Sequence, residues 1–175
     1  MTPSARLQCA VDALSLIEES IQNKGAAADV LLKAFFRERR YAGSGDRRAV
    51  SELVYQVLRQ RGICLWICEQ LSCEADARHQ ILAYAALYDR SILDLFTGGL
   101  YGPPTLDETE RAFVDNAAAL PTNDAPLWVK WNCTAYVAES LQKRFGDEVE
   151  TLRAALNARA SIDLRVNTLV AGVNE

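Results

Sequence analysis

The run ILAYAALY, residues 81–88, is apolar on nearly every side of any helix it forms. Such a helix has no face to give to water and needs neighbours all round, so the run predicts the centre of a helical core. The flanking segments carry the complementary signal, apolar on one face only. Val50, Leu53, Val54, Val57 and Leu58 fall at i, i+3, i+4, i+7 and i+8, a stripe that closes against a neighbouring helix. Leu7, Ala10, Val11, Leu14, Ile17 and Ile21 repeat at helical spacing in the first segment, with Thr2 as a cap, Pro3 suited to the first turn and Gly25 as a stop. The fold class expected is all-α.

The remaining elements follow from caps and breakers. A second helix is expected after Asp29, with Val30, Leu31, Ala34 and Phe35 as its apolar stripe and Lys33, Arg37 and Arg40 together on another face. YAGSGD is a turn, and Asp46 is the expected N-cap of the third helix. Residues 63–71 and 77–88 predict two more helices. Thr105 and Glu108 have capping-box spacing ahead of a sixth. PTNDAP, residues 121–126, reads as a linker, and one helix is expected over 127–145, stopped by Gly146 and followed by a short one. The pattern then changes. Ile162, Leu164 and Val166 alternate with Asp163, Arg165 and Asn167, which is strand periodicity. A lone strand is not stable by itself, so the sequence is expected to be the front part of a longer protein or to add to another sheet.

Charge is distributed unevenly. Between Lys33 and Arg61 eight cations face three anions. That local balance of +5 leaves −9 for the rest of a chain whose net charge is −4. Arg37, Arg39, Arg40, Arg47 and Arg48 lie within twelve residues, a field that attracts an anion which the remaining surface repels. Arg47 and Arg48 fall in the first turn of a helix, where the macrodipole disfavours cations by roughly 0.3–1 kcal/mol each. A bound anion offsets that cost, and free N–H groups at a helix start, a glycine turn and arginine forks are the parts of a phosphate site. Tyr41 is placed to stack on an unpaired base. The competing account pairs the same arginines with acids of neighbouring helices such as Glu52, and composition alone does not separate the two.

Other chemistry is poorly represented. The sequence has no GxGxxG, P-loop or GxSxG motif. Cys64, Cys68 and Cys73 lack CxxC spacing, and His79 is the only histidine, so buried thiols and a structural His79 are expected rather than a metal site. Asp107, Glu108 and Glu110 cluster where acids stabilise a helix start, not where they work as a catalytic pair. No apolar run approaches the roughly 20 residues that span a bilayer, and the N-terminus lacks a signal-peptide layout. A soluble, cytoplasmic protein is expected.

Four stretches resemble one known family. RYAGSGDRRAVSELVYQVLR (40–59), FTGGLYGPPTLDETERAF (96–113), WVKWNCTAYVAESLQKRFGDE (128–148) and LNARASIDLRVNTL (156–169) closely resemble, in order, the N-terminal part of the RsmB/Sun (Fmu) family of ribosomal RNA cytosine-C5 methyltransferases. The resemblance implies a NusB-like, RNA-binding helical domain over 1–120. It implies a linker and connector helices over 121–160, and over 161–175 the first strand of a region leading into a methyltransferase domain. It implies small-subunit ribosomal RNA and the protein's own C-terminal catalytic domain as partners, with no membrane and no metal. Arg39, Arg40, Arg47 and Arg48 match the family's arginine-rich segment. With Arg37, Tyr41 and Arg165 of the RVN motif they form the expected RNA-binding set. S-adenosylmethionine is implied for the catalytic domain only. None of the cysteines follows a proline and no glycine-rich cofactor loop is present, so the chain alone is expected to hold substrate RNA without methylating it. The alternative is a helical interaction module whose arginines dock an acidic partner or the catalytic domain.

Overall fold

The computed structural model describes residues 1–158, Arg165 and Asn167. It is helical: α1 Pro3–Gln22, α2 Ala28–Glu38, α3 Ser44–Arg59, α4 Arg61–Gln70, α5 Ala77–Tyr88, α6 Glu108–Ala119, α7 Leu127–Lys130, α8 Ala135–Phe145 and α9 Val149–Asn157. Short 3-10 turns fall at Arg90–Leu95, Thr122–Asp124 and Gly146–Glu148. The strand expected around residues 162–170 lies, apart from Arg165 and Asn167, outside the described residues. Two compact units are present, Met1–Glu139 and Ser140–Glu175.

In the first unit, α5 packs against α1, α4 and α6, and α1 packs against α2, α3 and α5. Every residue from Gln80 to Ala86 is buried, as an all-round apolar helix requires. Leu14 of α1, Val57 of α3, Ile67 of α4, Leu82 of α5 and Ala117 of α6 meet in one continuous cluster. Burying each of the larger aliphatic side chains contributes about 1.5–3 kcal/mol. Thr2 caps α1 as expected, Oγ1 accepting from the Ala5 N–H at 3.2 Å.

Several local expectations are corrected. Val30 and Ala34 of α2 are exposed, and the buried stripe is Leu32, Phe35 and Phe36. The N-cap of α3 is Gly43, not Asp46. Asp46 sits three residues further in and reaches back, Oδ2 accepting from the Gly43 N–H at 3.1 Å. The cap of α6 is Asp107 rather than Thr105. Asp107 Oδ1 accepts from the Glu110 N–H at 2.8 Å, and Glu110 Oε2 accepts from the Asp107 N–H at 3.1 Å. The capping box is thus real but displaced by two residues, because Arg78 grips the Glu110 carboxylate and fixes which turn is first.

The helix expected over 127–145 is broken into α7 and α8. Asn132 stands between them in the left-handed region, φ 52°. Its amide is fastened at both ends: Oδ1 accepts from the Gly62 N–H at 2.7 Å and Nδ2 donates to the Leu58 carbonyl at 3.0 Å. Asparagine tolerates this conformation better than most residues. The stretch 121–126, expected as a linker, carries the Thr122–Asp124 turn and the buried Ala125, and falls within the first unit.

Cys9, Cys64 and Cys68 are buried, while Cys73 and Cys133 are half-buried. Burial pushes the Cys64 thiol up to about 12. Among the described residues no three His, Cys, Asp or Glu converge as a metal site requires, and no helix is long and apolar enough to cross a membrane. His79 is tied to its own helix start, its ring Nδ1 3.0 Å from Asp76 Oδ1 and its edge against Phe113.

Within the second unit, Glu150 and Arg153 pair at 2.9 Å on α9, and the Arg144 guanidinium lies 5.6 Å from the Phe145 ring centroid.

Candidate nucleic-acid interface

The turn from residue 39 to residue 43 joins α2 to α3 and gathers most of the arginine cluster. Its base is apolar. Phe35 and Phe36, both buried, meet edge to face with ring centroids 5.4 Å apart. The Arg39 guanidinium lies 3.6 Å above the Phe35 centroid, and Nη1 donates to the Phe35 carbonyl at 3.5 Å. Arg47 approaches from α3, 5.9 Å from the Phe36 centroid, and its Nε donates to the Ala42 carbonyl at 2.8 Å. A cation over an aromatic face gains roughly 0.5–1 kcal/mol at such exposed sites. The two phenylalanines therefore orient one arginine from each side of the turn, which neither charge counting nor helical periodicity anticipates.

The other three arginines are free of such ties. Arg37 on α2, Arg40 in the turn and Arg48 on α3 are exposed and make no side-chain contact with a partner among the described residues. Arg40 lies beyond the end of α2, so the expected helical face of Lys33, Arg37 and Arg40 is interrupted at its last member. Lys33 forms an exposed pair with Asp29 at 3.2 Å, a contact worth under about 1 kcal/mol.

Two features remove charge from the cluster. Arg61, the first residue of α4, is turned inward onto Glu18. Asp46 is buried at the start of α3, where Arg6 Nε donates to its Oδ1 at 2.7 Å and the Met1 amino group lies 3.3 Å away. The Arg6 bond, with the Gly43 N–H and the amino terminus, holds the Asp46 carboxyl below its ordinary value against the opposing effect of burial. The N-terminus of α3 thus already holds a carboxylate of its own, and the Gly43 N–H is taken. The free phosphate-binding groups here are guanidinium forks rather than the empty helix end expected from the sequence.

Tyr41 is 69% exposed, and loss of solvent together with the neighbouring Cys9 of α1 raises its pKa. Arg39 is close enough to bias both groups. Arg165 belongs to the second unit and is exposed.

Sequence reasoning missed Arg6, which neutralises Asp46, and Arg78, which binds Glu110 and the Pro104 carbonyl at 3.1 Å. It also missed Leu100 and Tyr101, 87% and 75% exposed at the tip of the connector after the Arg90–Leu95 turn. A Leu–Tyr pair enclosed by Gly99 and Gly102 was the available signal, since apolar side chains held on a glycine loop have no core to enter. No protein-family model, curated protein or solved structure matches the chain.

Proposed function

We propose that this chain holds RNA, as the NusB-like N-terminal region of an S-adenosylmethionine-dependent ribosomal RNA cytosine-C5 methyltransferase of the RsmB/Sun type. The observation that carries the RNA reading is the set Arg37, Arg40 and Arg48: exposed, without side-chain partners among the described residues, and local to one turn of an otherwise acidic protein. Unpaired guanidinium forks match phosphate oxygens two at a time. Arg39 and Arg47, steered by Phe35 and Phe36, extend the cationic surface at little further entropic cost. Such contacts fix register and orientation and leave sequence choice to other groups. The assignment to the methyltransferase family rests on the four sequence stretches quoted above. In this reading S-adenosylmethionine and the attack on cytosine belong to a catalytic region that these residues do not form, and the chain's part is to present the RNA to it.

The test is a salt titration of binding to a small-subunit ribosomal RNA fragment, for the wild type and for Arg37→Ala/Arg40→Ala/Arg48→Ala. Each lost phosphate contact is expected to flatten the log–log salt slope by roughly 0.7–0.9, so the triple variant binds more weakly and with a slope lower by about two units. Unchanged affinity and slope would reject the proposal. Binding of an acidic polypeptide in place of RNA, lost in the same variant, would assign the arginines to a protein partner.

A further inference from the structure

Beside the arginine turn lies a surface cavity of about 730 Å³, within the usual range for small-ligand sites. Its lining includes Gln8, Cys9 and Asp12 of α1, Tyr41 from the turn, and Leu100 and Tyr101 from the connector loop. The two tyrosines are largely exposed, and neither ring stacks on another aromatic ring among the described residues. Large aromatic faces left in water beside a cavity are surfaces for a flat guest. Among the polar groups of its lining, Asp12 is the one carboxylate. Gln8 Nε2 donates to Asp12 Oδ1 at 2.8 Å, which leaves Asp12 Oδ2 as an acceptor without a hydrogen-bond partner among the described residues. A carboxylate here repels phosphate, so the phosphates of a bound strand belong on the arginines and not inside.

We propose that this cavity receives one unpaired, amino-bearing nucleobase of the bound RNA. Resting on the RNA reading above, the proposal places the base against Tyr41 and Tyr101, with its exocyclic amine donating to Asp12 and the flanking phosphates on Arg39 and Arg40. Aromatic stacking accepts any base. The carboxylate adds selection, because cytosine, adenine and guanine offer an N–H₂ donor, whereas uracil presents two carbonyl oxygens flanking its single N–H. The cavity therefore favours the amino-bearing bases, cytosine among them, over uracil.

The experiment uses the full chain and single-stranded oligo(C) and oligo(U) RNA of equal length, followed by fluorescence anisotropy. The wild type is expected to prefer oligo(C). Tyr101→Ala weakens oligo(C) binding about tenfold, the effect of losing one stacked base, without changing the salt slope. Asp12→Asn, whose amide offers both a donor and an acceptor, brings the two RNAs to similar affinity. Tyr101 is exposed, so its variant keeps the fold, and circular dichroism verifies this for both. If both variants bind both RNAs as the wild type does while the triple arginine variant loses them, the base site is wrong and the RNA reading stands. If the wild type binds no RNA, both fall together. An apolar peptide that binds in a Tyr101-dependent way, with RNA binding indifferent to Tyr101, would give the cavity to a protein partner and overturn the proposal.

Discussion

Arg61 and Glu18 meet as a fork on a carboxylate, Nε to Oε1 at 2.7 Å and Nη2 to Oε2 at 2.6 Å, joining the first turn of α4 to the C-terminal part of α1. Both side chains are largely withdrawn from water, and the bond to Glu18 raises the Arg61 pKa against the effect of burial. Glu18→Gln leaves a guanidinium without its anion in a half-buried site. The expected cost is about 1.5–3 kcal/mol, the range for hydrogen bonds to charged groups. A urea titration checks it: the midpoint falls while the m-value stays unchanged. On the proposed RNA reading, the same variant shows the wild-type salt dependence of binding, because Arg61 is a structural cation.

A pH dependence follows from Glu110. Arg78 donates to both of its oxygens and, together with the Asp107 N–H, holds its carboxyl below the usual value despite opposing desolvation. A carboxyl whose folded pKa is depressed contributes stability above its unfolded value and loses it as pH falls through the folded one. The protein is therefore expected to lose stability from roughly pH 4.5 downward, partly through this group. Glu110→Gln is less stable at neutral pH and shows a shallower decline on acidification. Parallel curves for the two proteins, by chemical denaturation between pH 6 and 3, would remove Glu110 from the account.

The helical class and the central place of α5 were legible because an all-round apolar run has one physical solution in water. Helix ends were less legible. Asp46 and Thr105 both look like caps, and each lost that role to a neighbour because of a partner distant in sequence: Arg6 for Asp46, and Arg78, through Glu110, for the start of α6. The break at Asn132 has the same origin, since its amide is held by Leu58 and Gly62 some seventy residues earlier. In the candidate site, the density of arginines was readable from the chain. Their sorting into Arg39 and Arg47 on phenylalanine rings, Arg61 on Glu18, and Arg37, Arg40 and Arg48 without a side-chain partner among the described residues was not, because it depends on which side chains the fold places opposite each one.

The junction of α4 with α7 makes a sharp steric prediction. A Cβ at Gly62 would stand 2.6 Å from the Val129 carbonyl oxygen, a backbone atom that cannot swing aside. Gly62→Ala is therefore expected to part α4 from α7 and to cost about 1–3 kcal/mol, the usual range for overpacking. Asn132→Ala removes both amide bonds and places alanine at φ 52°, with a similar expected loss. Because the two substitutions act on one contact, the double variant should be less destabilised than the sum of the singles. Strict additivity in denaturation experiments would show that Asn132 and Gly62 do not share a contact.

The connector loop that presents Tyr101 depends on a second close approach. A Cβ at Gly102 would lie 1.9 Å from Ser4 Oγ and 3.1 Å from Ser4 Cβ. Ser4 cannot yield without loss, since its hydroxyl donates to the Leu95 carbonyl at 2.7 Å and lies 2.9 Å from Thr97 Oγ1. Gly102→Ala must either turn Ser4 out of these bonds or lift the loop from α1. The expected cost is about 1–3 kcal/mol. Ser4→Ala removes the nearest obstacle and gives up its bonds, roughly 0.5–1.5 kcal/mol each. In the Ser4→Ala/Gly102→Ala protein the 1.9 Å clash is gone and only the tight 3.1 Å contact remains. The cycle should therefore show favourable coupling, with the double variant more stable than additivity predicts. Coupling near zero in thermal or urea denaturation would mean that the loop leaves α1 freely, and that Tyr101 is not held where the cavity needs it.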